Sequence, residues 1–288
     1  MKTLAGRTAF LTGAAAGIGL ALARALSSGG CHLFLVDRDA EGLARLRAEL
    51  SGCGVRVQTA VCDLSDAAAV DGVVLSALEQ TGGIDLLINN AGVCCYGPTD
   101  QMTQAQWDWL LSINLLAPIR ITQQLLPHLL LREDPHIVNM CSISGLVAGG
   151  RLAAYHTSKF GLVGFTEALR AEYGRRGIGV TAICPGPVLT NLYDSGQSLR
   201  SGGSVPLPPA WLCATAEQVA AATLRGILRD RRRVLVTPMA HGLSMLNRLA
   251  PWLIDFANRF SRNGRRRRLE LVRLERERLE RGEIRKAG

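Results

Sequence analysis

Along the first 240 residues, short and nearly unbroken apolar runs alternate with stretches whose apolar residues recur at i, i+3 and i+4. The short runs suit strands buried on both faces, and the periodic stretches suit helices packed over them. Strands are expected at 7–12, 31–36, 55–61, 84–88, 136–140, 178–184 and 233–237. Helices are expected from 17 onward, at 40–50, 66–80, 107–126 and 216–228, and around 155–159. This alternation predicts an open α/β sheet, whose ligands bind beyond the carboxyl ends of the strands. Residues 191–209 are rich in Ser, Gly and Pro and read as a loop placed to cover a substrate.

The turn after the first run reads Gly13-Ala-Ala-Ala-Gly17-Ile18-Gly19 and leads straight into a helical pattern. Gly13 suits a tight turn, and Gly17 and Gly19 let a pyrophosphate approach the backbone. The helix N-terminus adds free N–H groups and partial positive charge. Strand, glycine turn and helix in succession predict a dinucleotide site. The second run ends at Asp37, a carboxylate suited to the ribose diol of NAD and repelling the 2′-phosphate of NADP. Arg38 could accept that phosphate, so NAD is the expected cofactor and NADP the alternative. Asp63-Leu64 closes the third run, where a carboxylate could bind an adenine amino group. In the structural alternative, Asp66 or Ser65 merely caps the next helix.

Asn89-Asn90-Ala91-Gly92 follows the fourth run, where asparagine amides can hold neighbouring backbone open beside a cofactor. Asn114 lies inside an apolar periodic stretch and needs a hydrogen-bond partner. Ser142 stands at the end of the fifth strand. Tyr155 and Lys159, four apart, would meet on one helix face. A free tyrosine titrates near ~10, and an adjacent cation favours its phenolate, bringing it into the range of a general acid or base. By itself the spacing also occurs on many exposed helices. His156 points about 100° away from Tyr155 and reads as a packing residue. Cys94 and Cys95 read as small apolar liners of a nearby pocket. Ser144 could contact substrate or simply start the next helix.

Taken in order, Thr12-Gly-x-x-x-Gly-x-Gly19, Asp63, Asn89-Asn-Ala-Gly92, Asn114, Ser142, Tyr155-x-x-x-Lys159 and Pro185-Gly186-x-Val188-x-Thr190 resemble the short-chain dehydrogenase/reductase family, over roughly residues 5–240. The resemblance implies a Rossmann-type, doubly wound parallel sheet of about seven strands and a tetrad of Asn114, Ser142, Tyr155 and Lys159. Tyr155 would exchange a proton with the substrate oxygen as hydride moves to or from nicotinamide. Lys159 would lower the Tyr155 pKa and hold the nicotinamide ribose, and Ser142 would hydrogen-bond the developing oxyanion. Asn114 would bind a water that relays protons from Lys159 to solvent. The Val188 backbone and the Thr190 hydroxyl would fix the carboxamide. The implied cofactor contacts are Thr12, Gly13, Gly17, Ile18, Gly19, Asp37, Arg38, Asp63, Leu64, Asn90, Ala91, Gly92, Tyr155, Lys159, Pro185, Gly186, Val188 and Thr190.

Composition changes the picture mainly at the C-terminal end. The net charge is +9, yet residues 225–288 hold 18 Lys+Arg against 7 Asp+Glu, so the remainder is slightly acidic. A catalytic domain at 1–240 and a basic, amphipathic helical extension at 241–288 are expected. The extension places Leu243, Leu246, Leu249, Leu253, Phe256 and Phe260 at helical spacing, with Trp252 beside them, and Pro251 divides it. Such a stripe with basic flanks suits peripheral contact with an anionic membrane, or packing within a homodimer or homotetramer. Nucleic acid is disfavoured, because Leu and Glu interleave the arginines. No run of about 18 apolar residues and no signal-peptide pattern is present, and the eight cysteines lack metal spacing, so a cytoplasmic setting with reduced thiols is expected. The expected substrate is a small, apolar alcohol or carbonyl compound of sterol, retinoid or long-chain acyl type. The competing reading is a non-catalytic dinucleotide-binding scaffold that docks through its tail, and the complete tetrad argues against it.

Overall fold

In the computed structural model, which describes residues 1–189, 197–198, 209–253, 256, 273 and 277, strands and helices alternate from the first element onward. The first half comprises β1 (Thr8–Thr12), α1 (Gly17–Ser28), β2 (His32–Asp37), α2 (Ala40–Leu50), β3 (Val57–Val61), α3 (Ala67–Thr81), β4 (Leu86–Asn89) and β5 (Cys95–Tyr96). Then follow α4 (Gln104–Leu111), α5 (Ala117–Leu129), β6 (His136–Met140), α6 (Ala153–Tyr173), β7 (Gly179–Cys184) and β8 (Gln197–Ser198). The described part closes with α7 (Ala216–Leu228), β9 (Arg233–Leu235) and α8 (Pro238–Leu249). Seven strands form one parallel sheet in the order β3-β2-β1-β4-β6-β7-β9, the doubly wound Rossmann arrangement. β5 and β8 pair separately.

Alternate residues of each strand serve opposite layers. Ala9 and Leu11 join Leu22, Leu26, Val219 and Ile227 in one core, while Phe10 joins Val70, Val74, Ile121 and Leu125 in the other. Phe10 stacks on Phe34 with ring centroids 5.6 Å apart. Each such buried side chain contributes about 1.5–3 kcal/mol, which explains why the strands read as continuous apolar runs.

A polar row crosses this interior. Asn89 on β4 donates to the Asn139 side chain on β6 at 2.8 Å, and Asn139 donates to the Thr166 hydroxyl on α6 at 2.9 Å. Thr166 in turn donates to the Leu162 carbonyl at 2.5 Å. Lower down β6, His136 is fully buried, and its Nε2 lies 2.8 Å from Thr181 Oγ1. That hydroxyl donates to the Arg231 carbonyl, so His136 Nε2–H is the donor to Thr181 and Nδ1 stays bare. Burial pulls the His136 pKa down to about 3.

Two elements differ most from the sequence reading, for identifiable reasons. The single helix expected at 107–126 starts at Gln104, behind a Thr103/Gln106 capping box, and is interrupted by a π-turn at Ser112–Leu116. Asn114 sits in that turn. The last strand stops at Leu235 because Thr237 caps α8, accepting from Ala240 N–H at 3.1 Å. α8 ends at Leu249, ahead of Pro251. The chain divides into two units, Met1–Leu243 and Ser244–Gly288. Among the described residues, no helix is long and apolar enough to cross a membrane.

Candidate active site

Strand order turns back between β1 and β4, and at their carboxyl ends lies a cavity of about 580 Å³. Its first wall is the glycine turn. Gly13 and Gly17 have φ of 67° and 52°, a region that favours glycine. A Cβ on Gly19 would lie 1.8 Å from the Gly13 carbonyl oxygen, so helix and turn touch only because that side chain is missing. Asn90 stitches the turn to β4: its Nδ2 donates to the Thr12 and Gly13 carbonyls at 3.0 and 3.1 Å. The Thr12 hydroxyl accepts from the N–H groups of Asn90 and Ala91 at 3.0 and 3.1 Å. Ala16, the N-cap of α1, makes no side-chain capping bond, which leaves the first N–H groups of the helix for an anionic ligand. The cradle thus fits the pyrophosphate of a dinucleotide.

The two carboxylates beyond this turn differ in their restraint. Asp37 accepts from Ala15 N–H at 2.9 Å and from Asp39 N–H at 3.0 Å, so it is fixed to the glycine turn, while Arg38 is exposed. Asp63 Oδ1 accepts from the N–H and O–H of Ser65 at 2.9 and 2.8 Å. Those bonds and the nearby Arg38 hold the Asp63 carboxyl below its usual range. Asp66 caps α3 through Ala68 and Ala69, so Asp63 lines the cavity without being the helix cap.

α6 carries Tyr155 and Lys159 into the other end of the cavity. The Lys159 ammonium lies 5.7 Å from the centroid of the Tyr155 ring and donates to the Met140 carbonyl at 2.8 Å. Burial draws the Lys159 pKa below its ordinary value. Ser142 lies two residues beyond β6 and accepts from Ser144 N–H at 3.0 Å. Ile143 N–H donates to the Pro185 carbonyl at 2.8 Å, which ties this turn to the loop after β7. Asn114 is wholly buried: its Oδ1 accepts from Val93 N–H at 2.8 Å and its Nδ2 donates to the Val93 carbonyl at 2.9 Å. A third bond, Nδ2 to Ser158 Oγ at 3.2 Å, joins it to α6. The amide therefore pins the π-turn against both the Gly92–Val93 bend and α6.

Most residues expected at the site line this cavity: Gly13, Gly17, Ile18, Asp37, Arg38, Asp63, Leu64, Asn90, Ala91, Gly92, Ser142, Tyr155, Lys159, Pro185, Gly186 and Val188. Thr12, Gly19 and Asn114 stand behind it and act on its walls. Thr190 lies outside the described residues. His156 holds the loop before α6, accepting from Gly149 N–H at 2.9 Å and bonding the Ser144 carbonyl at 2.8 Å. Burial raises the Cys94 pKa to about 12, so this thiol behaves as an apolar liner. The sequence reading missed Tyr96, Leu152 and Met239, which also line the cavity. No motif announces them, because chain path alone brings them there.

Comparison with known proteins agrees with this geometry. A family model described as short chain dehydrogenase matches residues 7–198. The chain is similar to oxidoreductase UcpA of Salmonella typhimurium, 40% identical over 196 residues, covering 68% of this chain and 74% of that protein. It is 36% identical over 222 residues to D-threitol dehydrogenase of Mycolicibacterium smegmatis, covering 77% of this chain and 85% of the relative. Among solved structures, a short chain dehydrogenase/reductase from Burkholderia phymatum in complex with NAD has a TM-score of 0.78 at 28% identity, covering 88% of this chain and 96% of that one.

Proposed function

This chain belongs to the short chain dehydrogenases, an oxidoreductase family that uses NAD(P), and from that premise we propose that it moves a hydride between NAD and an alcohol or carbonyl carbon of an apolar substrate. The observation that carries the reading is the buried Tyr155–Lys159 pair, which shares one cavity with Ser142 and the glycine turn. Bound NAD supplies the hydride acceptor, or as NADH the donor. In the oxidative direction Tyr155 takes the hydroxyl proton of the substrate, and in the reductive direction it returns one to the carbonyl oxygen. Lys159, when protonated, favours the phenolate of the ring beside it. The Ser142 hydroxyl is placed to donate to the substrate oxygen. Asn114 keeps α6 and the Gly92–Val93 bend in register.

Two features support the finer choices. Asp37 is fixed by two backbone donors where a ribose 2′-phosphate would meet it, which favours NAD over NADP. Apart from Lys159, the charged residues lining the cavity are Asp37, Arg38, Asp39 and Asp63, all on the dinucleotide side. The substrate end, with Val93, Cys94, Leu152 and Met239, suits an apolar compound. A panel of alcohols and ketones, followed by nicotinamide absorbance with both cofactors, tests the reading. A panel in which every active compound is charged, or in which NADP outperforms NAD, refutes the corresponding part.

For the tail we propose peripheral attachment to an anionic membrane. Met245, Leu249, Trp252 and Phe256 recur at helical spacing and are 64%, 67%, 64% and 54% exposed. Residues 225–288 also carry the positive charge of the chain. Full-length protein should sediment with phosphatidylserine vesicles, less so as salt rises, and protein truncated after residue 243 should not. Equal sedimentation of the two proteins refutes the attachment.

A further inference from the structure

Ser142 and Tyr155 reach the cavity from different elements, one from the turn after β6 and the other from α6. The loop between them carries glycines at 149 and 150, and Arg151 holds a φ of 69°, which a residue with a side chain rarely adopts. One buried side chain fastens this loop. His156 follows Tyr155 on α6, is 8% exposed, and stands outside the cavity lining. Its Nδ1 lies 2.8 Å from the Ser144 carbonyl oxygen, and its Nε2 accepts from Gly149 N–H at 2.9 Å. A carbonyl only accepts and an N–H only donates, so the ring is neutral and carries its proton on Nδ1. Both nitrogens are committed to the backbone of the loop.

The Ser144 bond leads on to a reacting group. Ser144 N–H donates to Ser142 Oγ at 3.0 Å, so the residue that His156 holds by its carbonyl holds Ser142 by its amide. A hydroxyl has one proton and two lone pairs. Receiving the Ser144 N–H on a lone pair leaves the Ser142 proton for a substrate oxygen. The turn is fixed on either side of that carbonyl. Ile143 N–H donates to the Pro185 carbonyl at 2.8 Å, and Gly145 packs so closely on α6 that a Cβ there would lie 2.5 Å from the Lys159 carbonyl oxygen. The His156 bond fixes the Ser144 carbonyl between them. A leucine could fill the same space and would hold neither end. We propose that His156 is a positioning residue for the hydride transfer assigned above, setting the Ser142 hydroxyl against Tyr155 through the backbone of Ser144. Its effect on turnover rests on that assignment, and the bonds themselves do not.

Three substitutions separate the two bonds. His156→Asn keeps a donor near the δ position for Ser144, His156→Gln keeps an acceptor near the ε position for Gly149, and His156→Leu keeps neither. In full-length protein saturated with NAD, amide hydrogen exchange at Ser144 should quicken about tenfold in His156→Leu and His156→Gln and stay near wild type in His156→Asn. With an alcohol or ketone that the wild type turns over, kcat should fall by about 10- to 100-fold in the Leu and Gln variants. His156→Asn should recover most of it, with KM and NAD affinity little changed throughout. General loosening of the interior predicts the reverse order, because Gln fills more of the vacated space than Asn. Wild-type exchange at Ser144 in both His156→Leu and His156→Gln overturns the proposal, and so does a kcat no better in His156→Asn than in His156→Gln. If His156→Leu fails to fold, the contrast of Asn with Gln decides alone. A wild type that turns over no alcohol or ketone refutes the hydride-transfer reading instead, and exchange at Ser144 still decides whether His156 sets Ser142.

Discussion

The two ends of the catalytic cavity are built on different principles. The dinucleotide end is made of backbone and of side chains that spend their hydrogen bonds on it: Asn90 on the Thr12 and Gly13 carbonyls, Asp37 on the Ala15 and Asp39 N–H groups. The other end is lined by apolar side chains from separate segments, beside the Tyr155–Lys159 pair and Ser142. A ligand common to a whole family can be met by fixed backbone, which only a few residue types allow. A ligand particular to one protein is met by surface shape, which many residues can supply.

That contrast can be tested from its strongest consequence downward. Tyr155→Phe should lower turnover by about 10²–10⁴ while NAD affinity, measured by titration, stays near normal. Turnover close to wild type would remove Tyr155 from the proton path. Gly19→Ala should act on the opposite end. Its Cβ would collide with the Gly13 carbonyl, and overpacking of about 1–3 kcal/mol predicts NAD binding weaker by roughly one to two orders of magnitude. Unchanged NAD affinity would mean that the turn yields.

A pH test separates failure of either end from failure of the sheet beneath both. His136 takes up its proton near pH 6.5 when unfolded and only at about 3 when folded. Below 6.5 the unfolded chain therefore binds the extra proton, and stability falls by about 1.4 kcal/mol per pH unit as pH drops toward 3. Denaturant melts of His136→Gln should lose that part of the acid slope. An identical slope in the variant would place the acid sensitivity elsewhere. Smaller shifts follow at the rims. Asp37→Ala should move cofactor preference toward NADP by about tenfold, read from the two titrations. Cys94→Ala should change substrate KM by only a few-fold and leave NAD binding alone, since its thiol acts as an apolar liner. A kcat collapse in Cys94→Ala would instead give that thiol a chemical role.

Legibility in the sequence followed the same division. Glycine at 13, 17 and 19 and Asp37 at a strand end are each required by backbone geometry or charge, so they can be read without a fold. Tyr155 and Lys159 were legible because one helix carries both. Asn114 was recognisable as a buried amide in want of partners, but not that it would satisfy itself on Val93 and open a π-turn, since Val93 lies on another segment. Tyr96, Leu152 and Met239 reach the cavity through the path of the chain, and no local pattern encodes such a meeting.

The buried row Asn89–Asn139–Thr166 sets how forgiving the catalyst can be. Each group in it donates onward in one direction, so reversing any one amide would strand its neighbours. α6 is thereby keyed to β4 and β6 and has little freedom to roll or slide beneath Tyr155. The phenol is a fixed post. A substrate whose oxygen arrives about 1 Å out of place finds no acid able to follow it, a displacement that can cost about 10²-fold in rate. On the proposed chemistry, discrimination at this site would operate on position, and a poorly fitting compound would occupy the pocket without being turned over.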